Sequence, residues 1–401
     1  MSRTIKNAVV IGGGIAGLAI SRALSIVGID SWVFEEAPEI KNLGGGLTIY
    51  PYGALALKAL NLELPAAEIS HPVQNFLLWD NNTLLMEENY LQLEKDAGAP
   101  IYSFSRHELQ TVLAASIPEK HLRYGFKITK INDYANNAVV SDDHGNKIET
   151  DLVIIANGSK SKLFSKFVLG ETRDRSYCGY SFWGGFLEGA QKLELPQYAM
   201  GTVLGADKTA FFMTLPKDRQ WFYLVAKIAD PSLLKSGRNL KLAKEIFGGW
   251  SESVNQILSL ADETFQFGLP VYEVAFKQKW HSGRIVGIGD AVHAIGPTAG
   301  QGANAALTDA LALAYCLATG LDLASSLRTF DTLRNNFITN LYLIESKSAQ
   351  SKMNSDPDEN KLRNRKYFNR SAIELMSSLI KMSREHQNLY SFFEKRPLVV
   401  T

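Results

Sequence analysis

The chain opens on a β-branched run, Asn7 to Ile11, that stops at Gly12 and gives way to apolar positions at helical spacing from Ile15 to about Val27. A second run, Ser31 to Phe34, ends in Glu35-Glu36. Strand, tight turn, helix, strand predicts a βαβ unit and hence a parallel sheet. The stretch Leu122 to Val140 predicts strands joined by a turn at Asn136-Asn137, and the apolar run Asp151 to Ala156 predicts a buried strand stopped at Asn157-Gly158. From about Ser176 to Val274 the texture changes to aromatic-rich alternating segments, such as Ala210-Phe211-Phe212-Met213 and Trp221-Phe222-Tyr223-Leu224-Val225, between turn residues. That pattern predicts an antiparallel sheet inserted into the first domain. The buried-strand pattern returns over Gly283 to Gly289, followed by a turn and a helix from about Gly302 to Leu317. Ser346 to Arg370 is polar and charged and predicts an exposed connection. Ile373, Met376, Leu379 and Ile380 then recur at helical spacing and predict a terminal helix packed on the body.

Composition narrows the class. At 401 residues, with 46% hydrophobic and 21% charged positions, the chain is long enough for roughly two folded domains and is not a disordered tail. Lys plus Arg (42) and Asp plus Glu (41) leave a net charge of +1, which gives no global electrostatic case for nucleic acid or an acidic membrane. The two cysteines, Cys178 and Cys316, form neither a disulfide framework nor a metal-ligand spacing, and a reducing cytoplasm fits them. No His grouping has metal spacing either. Arg3 and Lys6 ahead of the apolar stretch Ala8 to Ile20 imitate a secretory signal, but the small-residue cleavage pattern is missing and the glycines have another explanation. The apolar window Ala303 to Leu323 is interrupted by Asp309 and reads as a buried helix, not a membrane span.

That other explanation is a dinucleotide fingerprint. Gly12-Gly13-Gly14-Ile15-Ala16-Gly17 lies between a strand and a helix, the context in which glycines let the backbone approach a pyrophosphate and free helix-start amides face phosphate oxygens. Glu35, ending the second strand, is placed to accept ribose hydroxyls, so an ADP-containing cofactor follows. A second constellation separates FAD from NAD: Gly289-Asp290-Ala291-Val292-His293, then Pro297-Thr298-Ala299-Gly300-Gln301-Gly302-Ala303-Asn304. An aspartate after a buried strand can bind ribityl hydroxyls, and a glycine-rich turn into a helix start can approach a flat ring and favour negative charge near its N1 and C2 carbonyl.

At this point the sequence resembles the class A FAD-dependent aromatic hydroxylases, the monooxygenases with the p-hydroxybenzoate hydroxylase fold, over about residues 5 to 340. The resemblance implies that Gly12, Gly14, Ala16 and Gly17 hold the pyrophosphate and that Glu35 with Glu36 holds the adenosine ribose. It further implies that Gly44 to Thr48 forms a loop beneath the flavin, that Arg106 contacts the flavin, and that the backbone at Ile128 meets adenine. Asp290 would bind the ribityl chain, while Pro297 and Gly300, Gln301, Gly302, Ala303 and Asn304 would line the isoalloxazine. The implied fold is α/β: a discontinuous Rossmann-type FAD-binding domain (1–70, 100–175 and 275–345) with an inserted, mostly antiparallel substrate domain (71–99 and 176–274), then a polar connection and C-terminal helix (346–401). The implied reaction is hydroxylation of an aromatic or polycyclic small molecule through a C4a-hydroperoxyflavin, with NAD(P)H reducing the flavin and O2 as co-substrate. Candidate pocket residues are Phe182, Phe212, Met213, Tyr223 and Pro297.

Two motifs depart from the family pattern. Its Asp-Gly motif with a later arginine reads here Ala156-Asn157-Gly158-Ser159-Lys160-Ser161-Lys162-Leu163-Phe164, and its Trp-Arg-Gly reads Trp183-Gly184-Gly185. Asparagine keeps an acceptor for FAD, whereas NAD(P)H handling loses a charge that Lys160, Lys162 or Lys166 could replace. His293 is expected to pack and hydrogen-bond beside the flavin. A halogenase would need a Trp-x-Trp pair, which is absent, and a nicotinamide-dependent dehydrogenase leaves Asp290 to Asn304 without a role. A flavin binder without turnover has only Asn157 and Phe164 in its favour.

Overall fold

In the computed structural model, which describes residues 5–40, 44–234, 237–368 and 372–396, the first apolar run is the strand Asn7–Ile11, near the centre of a six-stranded sheet. Asp30–Glu35 pairs with it on one side and Leu152–Ile155 on the other, both parallel. Leu122–Tyr124 and Ile285–Gly287 extend the parallel array, and His281–Ser282 closes one edge antiparallel. Ala8, Val9, Val10 and Leu152 through Ile155 have no solvent exposure, as expected for parallel strands covered on both faces. The chain steps from the central strand to one neighbour and later returns on the other side, which makes the carboxyl end of Ile11 and Ile155 a topological switch point. The helices Ile15–Ile26 and Gly302–Thr319 pack on each other there, and the small buried side chains of Ala16, Ala19 and Ala23 on one and Ala306 and Ala310 on the other suit a close approach.

The aromatic-rich segments build a seven-stranded sheet in the order Phe265–Val274, Arg175–Glu188, Arg219–Lys227, Lys208–Leu215, Ala199–Leu204, Asn75–Asp80, Thr83–Asn89. All its pairings are antiparallel except Ala199–Leu204 with Asn75–Asp80. Period-two alternation splits neighbours between the faces. Trp183, Phe212, Phe222 and Leu224 point outward into a core closed by the helices Leu240–Phe247 and Glu252–Ser259. Phe211, Met213, Trp221 and Tyr223 point inward. Phe212 is therefore core and not cavity wall, which corrects the sequence expectation by one residue: Phe211 takes its place.

The expected exposed connection over 346–370 is largely helical. Leu323–Lys352 is one long helix, started by a capping box in which Asp322 accepts from Ser325 N–H, and Pro357–Phe368 is another. The second was invisible to periodicity because it is polar all round. What favours it is Asp358 and Glu359 in its first turn and Arg365 and Lys366 in its last, each matching the helix dipole. The terminal helices Ala372–Glu385 and Gln387–Glu394 follow. Leu379, Tyr390 and Phe393 are buried, while Arg3 and the side chains of Ile373 and Met376 lie outside the described residues. No described helix is long and apolar enough to cross a membrane.

Arg334, fully buried on the long helix, ties these parts together. Its Nε donates to Asp309 Oδ1 at 2.7 Å, one Nη to Thr308 Oγ1 at 2.9 Å and the other to His386 Nε2 at 2.9 Å. His386 Nδ1 donates to Met382 O at 2.8 Å, so the imidazole is neutral, and burial together with the Arg334 charge pushes it down to about 4. Because this folded value lies below the ordinary 6.5, the stabilisation is complete above about pH 6.5 and is lost as pH falls toward 4. Urea denaturation at pH 7.5 and pH 5 should show a loss approaching ~2 kcal/mol at the lower pH, and His386→Leu should flatten that difference. The alternation of the large sheet gives a second test: Phe212→Ala should cost about 3–5 kcal/mol in the same assay, and Phe211→Ala about 1 kcal/mol or less.

Candidate active site

A cavity of about 1510 Å³ runs from the carboxyl end of the parallel strands to the inner face of the seven-stranded sheet. At its nucleotide-like end Gly12 adopts φ 110°, and a Cβ there would sit 2.6 Å from Ala156 O, so the two strands at the switch point approach only because the position is glycine. A Cβ on Gly17 would lie 1.9 Å from Gly12 O, so Gly17 serves helix–turn packing and does not itself line the cavity. Gly14 is different. A Cβ there would meet no protein atom and would project into the cavity beside the start of Ile15–Ile26, leaving the space and the helix-start amides that a pyrophosphate needs.

Glu35 is held ready at the strand end, with Oε2 accepting from Gly13 N at 2.6 Å and Oε1 from Ala37 N at 2.9 Å. Its remaining lone pairs can accept ribose hydroxyls. Glu36 and Ile128 also line this end, Glu36 within 3.6 Å of Lys127 in an exposed pair. Arg106 lines the cavity at the head of the helix Arg106–Ala115, with its N–H on Gly45 O at 2.9 Å. One turn later Gln110, which carried no sequence signal, donates to Gly13 O at 2.7 Å.

The second glycine turn meets the first. At Gly289, φ 59°, a Cβ would come within 2.7 Å of the Ala16 Cβ. Asp290, Pro297, Gly300, Gln301, Gly302 and Ala303 all line the cavity. Desolvation in its recessed place on the cavity wall pushes the Asp290 carboxyl above the ordinary aspartate value, against the pull of His293 and Arg106. Asn304 does not line the cavity as expected: it is fully buried, its Oδ1 accepting from Tyr50 N at 2.8 Å and its Nδ2 donating to Thr48 O at 2.9 Å. It thereby fixes the Thr48 loop, and Thr48 itself lines the cavity. His293 is buried with Nε2 2.5 Å from Asp309 Oδ2; Asp309 Oδ2 also accepts from Gly289 N at 2.9 Å. Burial raises the Asp309 carboxyl, but His293 and Arg334 outweigh it and bring it down to about 2.

The far wall is largely apolar, with Thr202, Gln266, Ser348 and Lys352 also on the cavity. Phe182, Met213, Tyr223 and Pro297 line it as expected, joined by Phe211, Phe76, Met200 and Leu269, and Phe211 stacks on Tyr223 with ring centres 5.0 Å apart. Asn157, Lys160 and Lys162 line the rim, whereas Lys166 lies over the Phe167 ring and not on the cavity. Phe164 is core, packed on Gly287. Arg173, missed by sequence reasoning, lies over the Phe164 ring and donates to the carbonyls of Val292, at 2.7 Å, and Ala291, behind the Asp290 turn.

Comparison with known proteins agrees with this geometry. The family model described as FAD binding domain matches residues 6–342. The FAD-dependent urate hydroxylase of Klebsiella pneumoniae subsp. pneumoniae is 28% identical over 341 residues, covering 84% of this chain and 88% of that protein. The 2-heptyl-3-hydroxy-4(1H)-quinolone synthase of Pseudomonas aeruginosa is 30% identical over 321 residues, covering 77% and 80%. Among solved structures, Klebsiella pneumoniae HpxO complexed with FAD and uric acid shares the fold with a TM-score of 0.88 at 23% identity, covering 96% of this chain and 99% of that one. With a family model spanning both glycine turns and the sheet inserted between them, the chain belongs to the FAD binding domain family, as a class A FAD-dependent hydroxylase.

Proposed function

We propose that the protein is a monooxygenase that hydroxylates an apolar aromatic or heteroaromatic small molecule, using FAD, NAD(P)H and O2. The observation that carries this reading is the single cavity that joins both glycine turns to an aromatic wall. In it, Gly12, Gly14 and Ala16 present backbone to the pyrophosphate, Glu35 and Glu36 take the adenosine ribose, and Ile128 flanks adenine. Thr48, Arg106, Asp290, Pro297 and residues 300–303 surround the flavin half. The proposed division assigns the six-stranded sheet to a discontinuous FAD-binding domain and the seven-stranded sheet to an inserted substrate domain. FAD, when bound, supplies the electron transfer and oxygen activation that side chains lack. The chain's part is to orient the ring, keep water from it and place the substrate against it.

The wall also speaks to the substrate. Urate is a polar anion edged with donors and acceptors, and the hydrocarbon side chains of Phe211, Met213, Phe182 and Leu269 would strip its water without replacing those hydrogen bonds. A ring with an apolar body and one polar edge, met by the Tyr223 hydroxyl, fits better. The nicotinamide donor is handled at the rim by Lys160 and Lys162, beside Asn157. The free thiols Cys178 and Cys316 suit a cytoplasmic enzyme.

Purified protein should show flavin absorbance with one FAD per chain. Gly14→Val should cut FAD affinity at least about tenfold while leaving the apoprotein's thermal transition in place, because Gly14 has φ −77° and open space around it. A colourless protein that takes up no FAD would sink the proposal. In steady-state oxidation assays, the double variant Lys160→Ala/Lys162→Ala should raise the KM for NAD(P)H about tenfold with FAD content unchanged. Unaltered saturation would remove these lysines from the donor site.

A further inference from the structure

Thr298 sits in the short turn Pro297–Ala299 on the cavity wall, and the long helix holds every polar group it owns. Glu345 Oε1 accepts from Thr298 N at 3.0 Å and from Thr298 Oγ1 at 2.7 Å, and Oε2 accepts from Ala299 N at 2.7 Å. The Tyr180 hydroxyl adds a fourth donor to Oε1 at 3.2 Å. From the same helix, Ser348 Oγ and Lys352 Nζ donate to Thr298 O at 3.2 and 2.5 Å. Residues 345, 348 and 352 are three and four apart and share one helix face. A Cβ on Gly296 would stand 2.5 Å from Glu345 Oε1, so the carboxylate reaches the turn only because that position is glycine. Glu345 is 4% exposed. Burial pushes its carboxyl up, and the Thr298 and Ala299 donors pull against that. Burial outweighs them and leaves the carboxyl above the ordinary glutamate value, while four donors aimed at its two oxygens favour the charged form.

We propose that Glu345 is a positioning residue: with Ser348 and Lys352 it forms a clasp, delivered by the long C-terminal helix, that fixes the Pro297–Gly300 turn against the flavin ring and tunes the ring's electronics. The proposal rests on the reading above, in which the isoalloxazine lies on this turn. Glu345 brings negative charge behind the turn and Lys352 positive charge beside it, while the start of Gly302–Thr319 immediately follows. The two charges therefore act on a reduced, anionic ring with opposite sign.

The test uses FAD-loaded full-length protein and the variants E345Q, S348A and K352M. Each is followed by the midpoint potential of bound FAD, its visible band shape, the FAD dissociation constant and thermal unfolding. E345Q should move the midpoint upward and K352M downward, with FAD binding weakened several-fold in both and the bands altered in S348A. General loosening of the fold would not produce opposite signs. Parental midpoint, bands and affinity in folded E345Q, or shifts of the same sign in E345Q and K352M, overturn the clasp. If E345Q fails to fold, K352M and S348A decide: a lowered midpoint in K352M with altered bands in S348A supports it, and parental values in both overturn it. A parent protein that takes up no FAD overturns instead the reading of the site on which the clasp rests.

Discussion

The geometry of the site hangs on one contact between chain segments far apart in sequence. The backbone of Gly289 lies so close to the Ala16 methyl that a side chain at 289 would overlap it, and this is where the two glycine turns are brought to one place. The contact is enforced from behind. Asp309, fully buried on the helix that follows the second turn, takes the Gly289 N–H on the same oxygen that binds His293, and its other oxygen takes the Arg334 guanidinium. A buried carboxylate with those three donors has a single low-energy arrangement, so the Asp290 turn inherits its position from it.

Such a cluster is not a source of large net stability, because removing charges from water costs about as much as their attraction returns. Its value is directional. Arg334 reaches Asp309, Thr308 and His386, and so connects the long helix, the helix beside the cavity and the terminal helices. The C-terminal helices act as the outer wall that keeps the second turn pressed on the first. Arg173 does similar work from the opposite side, capping carbonyls of the short Asp290 helix while lying over Phe164. The arginine missing at position 164 is thus matched by one nine residues later that supports the turn and does not face the cavity.

The parallel sheet and both glycine turns were legible because the backbone demands there are severe: only glycine tolerates φ 110° at Gly12 or the approach at Gly289, and a strand buried on both faces has to be continuously apolar. Three kinds of feature were not. Phe212 and Phe211 are equivalent to a composition argument, and only strand register decides which of them faces the cavity. Asn304 was placed in the right motif with the wrong contact, since a side chain bridging to Thr48 and Tyr50 depends on a partner some 250 residues away. The helix Pro357–Phe368 lacks an apolar stripe, and its charged ends are a weak signal beside the polar composition that suggested a connection.

The inner wall of the large sheet is also part of the cofactor seat. A Cβ on Gly45 would lie 2.2 Å from Trp221 Cζ2, and one on Gly46 would lie 2.0 Å from Met213 Cε, so the loop ahead of Thr48 rests directly on two side chains of the substrate wall. Arg106 is tied to the same loop through Gly45 O, and its helix is anchored to the sheet by Glu108, whose Oε1 and Oε2 both accept from Arg219 Nη2, at 3.0 and 2.9 Å. Interiors at this density transmit a change in volume to whatever touches it. Met213 and Trp221 therefore cannot change size without moving the loop and Arg106. Phe211 and Leu269 border open cavity, and through them the substrate preference can change while the cofactor seat stays where it is.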